Sequence, residues 1–451
     1  MPETPAAKKR RAALLPPPSG GSLTRMATPL APLAVALLAS RALVPSMGTA
    51  PKPPGAVPEP TATTVTMKAT PAGAPTPLLK TGQPADWWFV FKFNAETFAG
   101  CGPESQRTCP FGGAVQPYNH FGQQYAYASS VDHKLQKGGG CAGDTTSDPL
   151  GATFDEIYND HLFYVVWNDQ FYGDPMSSHA SPAGHSKGML AWDNNGNGVV
   201  LQVSTPSWPA AGSAQRPRKT DGNTLGCVKD NDVLVSQHFF SLRLNKNDVV
   251  TVLQALDNAS VVTDTSDPQI VSNGGPPDIQ TLAGGLGHLS KSQTVTKARL
   301  SGGVQLISKP SRLEVPPWQM VSAMLGGEPL RVATWFARPE IPTTTAATTV
   351  GCWNPSLSKP GAVEIATTGT WDGASIGLEG VPDANGNHAK VGVSTGTHPY
   401  AIFGDMNQQG SLNGPKCNSS QNGRGGLFYV VEDGPLAASI ADLIKGESAP
   451  K

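Results

Sequence analysis

The sequence has little charge: Lys, Arg, Asp and Glu together make up 15% of its 451 residues. Glycine and proline are abundant instead, with 50 and 42 copies. A helical bundle exposes charged helix faces and avoids residues that interrupt helices, so this composition argues against one. It favours a loop-rich protein with β or α/β character, and the length allows one large or two ordinary domains.

Two further absences narrow the class of protein. No segment beyond residue 50 is apolar enough to cross a membrane, so we expect no membrane insertion. None of the six cysteines stands in CxxC spacing with another, which argues against a zinc site built from them. In an exported protein they can instead form up to three disulfide bonds. The six are Cys101, Cys109, Cys141, Cys227, Cys352 and Cys417.

Positive charge is scarce outside the N-terminal region. Residues 1–50 hold six of the 33 Lys and Arg and one of the 34 Asp and Glu. The rest of the chain therefore has 27 basic and 33 acidic residues, a net charge of −6, which is not typical of a polyanion-binding protein at neutral pH. All nine histidines lie in this part, so its charge moves upward as the pH falls through about 6.5.

The first 80 residues resemble a targeting segment followed by a linker. Within residues 1–50, a basic cluster at Lys8–Arg11 precedes a short apolar run at Leu30–Ala39, and small residues follow. This order is typical of a secretory signal and predicts a secreted or periplasmic protein, or a lysosome-like compartment in a eukaryote. A tail rich in Ala and Pro without a targeting role is the alternative. Residues 51–80 are rich in Pro, Ala and Thr and predict an extended linker.

The remaining sequence predicts two similar β-rich halves, residues 81–241 and 301–445, joined by a polar connecting or inserted region at 242–300. In the first half an aromatic run at Trp87–Phe93 predicts a buried strand. In the second half Pro316–Leu325 predicts a helix with proline in its first turn, and a strand follows it. We therefore expect an α/β fold of two β-sheet halves flanked by helices.

Two short motifs place the same pair of side chains in the two halves. Of nine histidines, only His185 and His388 are followed two residues later by lysine, at Lys187 and Lys390. On an extended strand, residues two apart point to the same face, so each motif presents an imidazole beside a cation. Each motif also precedes a pair of apolar strands that ends in small or polar residues. Together they can surround one phosphate group; two unrelated surface strands are the alternative.

The two motifs and their neighbours resemble the deoxyribonuclease II family, within the phospholipase D-like superfamily, in which two related halves each bring one His and one Lys to a shared site. The resemblance rests on an ordered set of segments that covers nearly the whole chain beyond residue 81. They are Gly82-Gln83-Pro84-Ala85-Asp86-Trp87, Trp167-Asn168-Asp169-Gln170, Gly184-His185-Ser186-Lys187-Gly188, Ser204-Thr205-Pro206, Asn223-Thr224-Leu225-Gly226-Cys227, His388-Ala389-Lys390, Gly404-Asp405-Met406-Asn407 and Arg424-Gly425-Gly426. The resemblance implies a phospholipase D-like pseudo-dimer with the active site at the interface of its halves.

The family implies hydrolysis of DNA phosphodiesters without metal or cofactor, best at acid pH, leaving 3′-phosphate and 5′-hydroxyl ends. From the resemblance to the family we expect His388 to attack phosphorus, forming a phosphohistidine, and His185 to protonate the leaving 5′ oxygen. Lys187 and Lys390 are expected to hold the equatorial oxygens of the phosphate and to offset the charge that builds there.

Polar residues at the ends of the predicted strands are further candidates for this site. Asp405 and Asn407 follow the second strand pair; we expect Asn407 to donate to the phosphate oxygens and Asp405 to fix the tautomer of a histidine. Ser204 ends the first strand pair and is a candidate for substrate binding. Asn168 ends another apolar strand, where it either lines the cleft or caps a turn.

Two larger side chains are candidates for contacts with DNA. Arg424, beside two glycines, either contacts a phosphate of DNA or pairs on the surface. Trp208 either stacks on a base or packs in the core.

The sequence departs from these families at three positions. Ala389 stands where the family commonly has Ser, and only His and Lys need to reach the phosphate. Phospholipase D carries Asp five residues after Lys, where this chain has Trp192 and Thr395. Two alternatives therefore stay open: a phospholipase D-like phosphodiesterase acting on another substrate, and a nucleic-acid-binding relative without catalysis. The oligomeric state is open as well.

Overall fold

The computed structural model describes residues 73–98, 124–143, 145–159, 162–171, 181–206 and 234–451, with the backbone alone at 212–213 and 216–217. These residues belong to a compact unit that spans Met67–Lys451. The predicted targeting segment, residues 51–72 of the predicted linker, Trp208 and Asn223–Cys227 lie outside the described residues.

The described residues form a mixed α/β fold of strands and five α-helices. The strands up to residue 272 are β1 (Leu78–Lys80), β2 (Gln83–Pro84), β3 (Trp87–Lys92), β4 (Tyr125–Ser129), β5 (Gln136–Lys137), β6 (Phe163–Asn168), β7 (Lys187–Trp192), β8 (Gly198–Val203), β9 (Gly212–Ser213), β10 (Arg216–Pro217), β11 (Gln237–Leu244) and β12 (Val271–Ser272). Those that follow are β13 (Thr296–Arg299), β14 (Gln305–Lys309), β15 (Leu330–Ala333), β16 (Val363–Ile365), β17 (Thr368–Trp371), β18 (Ala374–Gly377), β19 (Val391–Ser394), β20 (Tyr400–Gly404) and β21 (Gly426–Glu432). The helices are α1 (Pro149–Asn159), α2 (Lys246–Asn258), α3 (Pro277–Gly284), α4 (Pro317–Met324) and α5 (Gly434–Leu443).

Two large sheets organise these elements. The first has the strand order β12-β6-β7-β8-β11-β3-β4-β5 and is antiparallel throughout. The second has the order β13-β14-β21-β20-β19-β15-β16, with a single parallel pair, β15 and β16. Small two-stranded sheets accompany them. The expected α/β class is confirmed.

The two sheets face each other across the main hydrophobic core. Phe403 of β20 stacks on Phe89 of β3 and on Phe240 of β11, with ring centroids 4.4 and 4.7 Å apart. Alternation along β3 explains why all its residues are buried: Phe89 points into this central core and Trp88 into a smaller cluster that includes Leu150 of α1. The sequence prediction of a buried strand here is confirmed.

The two sheets share one order of elements along the chain. In the first, β3 is followed by α1, β6, the first His-x-Lys motif, β7, β8, β11 and α2. In the second, β14 is followed by α4, β15, the second His-x-Lys motif, β19, β20, β21 and α5. Corresponding strands also pair alike, because β6-β7-β8-β11-β3 matches β15-β19-β20-β21-β14. Each motif therefore enters the equivalent strand of its own sheet.

Residues 242–300, expected to be a connection, hold elements that pack with both sheets. Strand β11 runs across the predicted boundary at residue 241. Helix α2 begins at the N-cap Asn245, whose side chain forms a capping box with Asp248. Its apolar residues, Val249 and Leu253 among them, are buried in the central core, and the helix contacts strands of both sheets. The region is polar on average over residues 242–300, but it contains an amphipathic helix, α2.

One disulfide bond is complete among the described residues, Cys352–Cys417, and Cys141 is disulfide-bonded as well. Across the described residues, every helix is too short or too polar to cross a membrane.

Candidate active site

The first motif lies where β7 begins and is held there by the second half of the chain. The backbone N–H of His185 donates to the Gly425 carbonyl, 2.7 Å away. The His185 ring is 2.7 Å, through Nδ1, from the backbone carbonyl of Asp405. Asp405 follows β20 and Gly425 precedes β21, so both partners come from the second sheet. The site therefore depends on the contact between the two halves.

The hydrogen bond of His185 fixes its tautomer. A carbonyl oxygen can only accept, so Nδ1 of His185 carries the proton. Burial lowers the pKa of His185, and the neighbouring Lys187 lowers it further, so the ring is held neutral. In a neutral ring with a proton on Nδ1, Nε2 keeps its lone pair. His185 is thus set up as a nucleophile or a base.

Lys187 pairs with Asp169, a residue just beyond the end of β6. The Lys187 ammonium donates to Oδ1 of Asp169, and both side chains are nearly completely buried. Oδ2 of Asp169 accepts from the guanidinium of Arg424, 2.9 Å away. Burial alone would raise the pKa of Asp169, but the charges of Lys187 and Arg424 and the hydrogen bond from Lys187 hold it well below its usual range. One buried carboxylate thereby aligns two cations, one from each half.

The second motif precedes β19 in an extended segment. The backbone N–H of His388 donates to the Ser236 carbonyl at 2.8 Å, and the His388 ring packs edge-on against Trp335 with centroids 5.2 Å apart. Its Nδ1 is buried and has no hydrogen-bond partner among the described residues. Burial lowers the pKa of His388, and Lys390 and then Lys187 lower it further. The ring is less constrained by hydrogen bonds than that of His185.

Lys390 is buried next to His388 and folds back on it. Its ammonium donates to the His388 carbonyl at 2.6 Å, and its backbone N–H donates to Nδ1 of His238 at 3.1 Å. Burial lowers the pKa of Lys390 well below its usual range, and the charge of Lys187 lowers it further. Because each motif perturbs the pKa values of the other, both His-Lys pairs share one electrostatic site.

Asp405 brings a second buried carboxyl group to the site, besides that of Asp169. Gln202 donates to its Oδ1 at 3.0 Å and the Leu427 N–H to its Oδ2 at 2.9 Å. Burial raises the pKa of the Asp405 carboxyl to about 7, against the hydrogen bonds from Ser186, Leu427 and Gln202. The expected contact between Asp405 and a histidine exists, but it is made by the backbone carbonyl and not by the carboxylate.

Sequence comparison with known proteins identifies the family of this chain. The family model described as Deoxyribonuclease II matches residues 76–446. The chain belongs to the deoxyribonuclease II family. Similar proteins include deoxyribonuclease-2-alpha of Sus scrofa and of Bos taurus, 30% and 31% identical over 165 and 166 residues. Each of these matches covers 35% of this chain and 40% of the relative. A putative deoxyribonuclease-2 of Burkholderia pseudomallei (strain 1710b) is 24% identical over 335 residues, 72% of this chain and 84% of that protein.

The remaining candidates occupy different places in this deoxyribonuclease II family member. Asn168 caps a turn: its Oδ1 accepts from the Gln170 N–H at 2.8 Å. Ser204 bridges β8 to β11, accepting from the His238 N–H at 2.9 Å. The side-chain amide of Asn407 donates to Gln409 at 2.9 Å, and its Oδ1 is buried without a partner among the described residues. These contacts hold Asn168 and Ser204 in place, and a part of either in substrate binding stays a prediction.

Arg424 connects the two halves next to the first motif. Its Nε donates to the Ala183 carbonyl at 3.0 Å and its guanidinium to the Gly184 carbonyl at 2.7 Å, besides the pair with Asp169. Sequence reasoning offered a DNA contact or a surface pair for Arg424. Its contacts hold the backbone immediately before His185, and a contact of Arg424 with DNA stays a prediction.

Three residues of the site were not singled out from the sequence. Asp169 stands in the Trp167–Gln170 segment that resembles the family, so its position after a buried strand was a usable signal. Gln202 and His238 lie inside strands β8 and β11 and carry no motif of their own. Among the described residues, no cluster of three or more His, Cys, Asp or Glu side chains could hold a metal ion.

Proposed function

We propose that this protein is an acid, metal-independent endonuclease that hydrolyses DNA phosphodiesters to 3′-phosphate and 5′-hydroxyl ends. The observation that carries the proposal is the meeting of two His-Lys pairs in one buried site, with a lone pair held free on Nε2 of His185. Membership of the deoxyribonuclease II family supports DNA as the substrate. The matched mammalian relatives, named deoxyribonuclease-2-alpha, support the same activity.

The tautomer of His185 supports assigning the nucleophile to His185, opposite to the order expected from family habit. Nε2 of His185 attacks phosphorus, a P–N bond forms, and the bond to the 5′ oxygen breaks. That oxygen takes its proton from His388 acting as the acid. Water then attacks the phosphohistidine, His388 takes a proton from the water, and the P–N bond breaks to leave a 3′-phosphate.

The two lysines stabilise the charge that develops on phosphorus. Lys187 and Lys390 are both buried, so their interaction with a phosphate oxygen is little screened by water. Lys390 now donates to the His388 carbonyl and Lys187 to Asp169. An arriving phosphate can accept from both ammonium groups without moving the backbone. Asn407 remains a candidate donor to the same oxygens.

The pKa shifts favour work at acid pH. Burial lowers the pKa values of His388 and Lys390, so a lower pH favours the protonated form of each. The pKa of Asp405 is about 7, so this carboxyl loses its negative charge as the pH falls below 7. The site therefore becomes more positive on acidification, which favours an anionic phosphate and supplies the protonated acid.

The structural and cellular parts of the proposal follow from the same features. The shared order of elements supports a phospholipase D-like pseudo-dimer whose active site lies where its halves meet. Trp192 stands at the position of the phospholipase D aspartate. Its side chain is fully buried and donates to the Gly274 carbonyl at 3.0 Å, so this position supplies no carboxylate to the site. We propose a secreted or periplasmic location on the basis of the N-terminal sequence pattern.

A plasmid digest at about pH 5 in EDTA tests the proposal, because a histidine acid works best below its reference value near 6.5. We expect cleavage in the presence of EDTA and fragments with 3′-phosphate and 5′-hydroxyl ends. Plasmid that stays intact but is retained on the protein would favour a binding relative. Cleavage that EDTA abolishes would contradict the metal-independent mechanism.

A further inference from the structure

The segment that carries the second motif is attached to the first sheet by a short parallel ladder. The Ser236 N–H donates to the Gly386 carbonyl at 2.9 Å, and the His388 N–H donates to the Ser236 carbonyl at 2.8 Å. Ser236 and Asn387 form the corresponding parallel bridge. A regular ladder would continue by pairing the backbone of His238 with the backbone of His388 and Lys390.

The ladder cannot continue, because the backbone of His238 is already used. Its N–H donates to the hydroxyl of Ser204, and its carbonyl accepts from the Ser204 N–H. Two backbone groups of the motif would then be buried without partners, the Lys390 N–H and the His388 carbonyl. Two side chains take over: Nδ1 of His238 accepts the Lys390 N–H, and the Lys390 ammonium donates to the His388 carbonyl.

We propose that His238 is a positioning residue of this active site: it fixes the backbone of Lys390, aims both His388 and Lys390 at the phosphate, and by its own protonation sets the acid limit of activity. The inference rests on the proposed function. His238 is fully buried, and its Nε2 has no partner among the described residues. Its one hydrogen bond through the ring is therefore the one to the second motif.

Protonation of His238 would break this arrangement. Nδ1 accepts a hydrogen bond only while it lacks a proton, so the neutral ring carries its proton on Nε2. A proton on Nδ1 would face the Lys390 N–H. Among the described residues the charged group that acts on His238 is Lys390: burial lowers the pKa of His238, and the charge of Lys390 lowers it further. On β3, Phe91 pairs in register with His238 and Lys92 with the preceding Gln237. Ser204, which follows β8, is uncharged.

Three substitutions separate positioning from core packing. In His238→Asn, Oδ1 takes the place of Nδ1 and can still accept the Lys390 N–H. In His238→Gln, the side-chain oxygen reaches further than Nδ1, and His238→Leu has no acceptor. We expect kcat to fall about 100-fold in the Leu and Gln variants, since a small misplacement of reacting groups costs that much, and to return largely in the Asn variant. Equal losses in all three, in step with their melting temperatures, would show a packing role only.

The pH profile tests the acid limit. Asn does not titrate, so the acid limb of the DNA-hydrolysis profile should move to lower pH in His238→Asn than in the wild type. An unmoved acid limb would overturn that part of the proposal.

Amide hydrogen exchange keeps the inference distinct from the proposed function. The peptide containing residues 386–390 should stay protected in the wild type and in His238→Asn, and exchange faster in the Leu and Gln variants. Wild-type protein that cleaves no DNA, yet shows this exchange pattern, would refute the nuclease and keep the positioning role. Equal protection in all four proteins would refute the positioning role itself.

Discussion

At the scale of single residues, the Lys187–Asp169 pair is the most buried charge interaction of the site. Their side chains are 2% and 3% exposed. Removing one partner of such a pair leaves the other charge buried and uncompensated, which typically costs 3–5 kcal/mol by order of magnitude. Asp169 matters for stability because it is buried between Lys187 and Arg424, and neither its burial nor these contacts can be derived from the sequence.

We predict that Asp169→Ala lowers the free energy of unfolding by about 3–5 kcal/mol. The matched control is Asp86→Ala, which removes an acid from the exposed pair with Arg243, 3.6 Å apart, and should cost at most about 1 kcal/mol. Urea unfolding at neutral pH measures both. An equal effect of the two substitutions would contradict the buried pair.

Asp405 gives a second prediction, on pH and stability. Its pKa in the folded protein, about 7, lies above the ordinary 3.8, so the folded state binds a proton that the unfolded state lacks between these values. The stability of the wild type relative to Asp405→Asn should therefore rise as the pH falls from about 7 towards 4, by a few kcal/mol at most. Unfolding curves of both proteins across this range measure the difference. A difference that stays constant with pH would contradict a raised pKa.

At the scale of elements, three segments meet behind His185 with no room for added side-chain atoms. A Cβ on Gly425 would lie 2.1 Å from the Ala259 carbonyl oxygen, and one on Gly184 2.6 Å from the same atom. The Ala259 carbonyl, just after α2, thus packs between the backbone of the first motif and that of the Arg424 turn. Close approach of this kind needs glycine on both sides.

We expect Gly425→Ala to lower kcat about 100-fold, because the shifted backbone carries the acceptor of the His185 N–H. Gly434→Ala is the matched control. Gly434 begins α5 and a Cβ there meets nothing within 4 Å, so this change should leave activity unchanged and stability equal or slightly higher. DNA hydrolysis and melting temperature should be measured for both, and a fully active Gly425→Ala would rule out the tight approach.

Several elements could be predicted from the sequence, because their signals are local. The helix expected at Pro316–Leu325 is α4, and the pair of apolar strands expected after the first His-x-Lys motif is β7 and β8, joined by a turn at Asp193–Gly196. Gly196 has φ +86°, a conformation that favours glycine in this turn. The amphipathic α2 was not predicted, since its apolar face is diluted by polar residues over the wider region 242–300.

At the scale of the whole molecule, the His-x-Lys pairs could be located because the chemistry itself requires those residue types. The contacts that orient them could not, because they join residues far apart in the chain. Asp405 meets His185 across 220 positions, and Arg424 meets Gly184 across 240. The tautomer of His185 depends on such a contact. That tautomer supports His185, and not the His388 expected from the sequence, as the proposed nucleophile.

In the proposed mechanism both histidines are needed to cut DNA, but only the nucleophile is needed when the leaving group requires no proton. Nitrophenolate leaves without an acid, so a 3′-nucleotide p-nitrophenyl ester tests the two roles separately. The central claim is that His185 attacks and His388 protonates.

The most direct measurement is therefore release of nitrophenolate from that ester at about pH 5, a pH below the histidine reference value, by the wild type, His185→Ala and His388→Ala. We predict that His388→Ala releases nitrophenolate but does not cut DNA. In this variant the phosphoryl group that stays bound to the protein should be attached to His185. His185→Ala should be inactive on both substrates. Nitrophenolate release by His185→Ala, with none by His388→Ala, would contradict the account and restore His388 as the nucleophile.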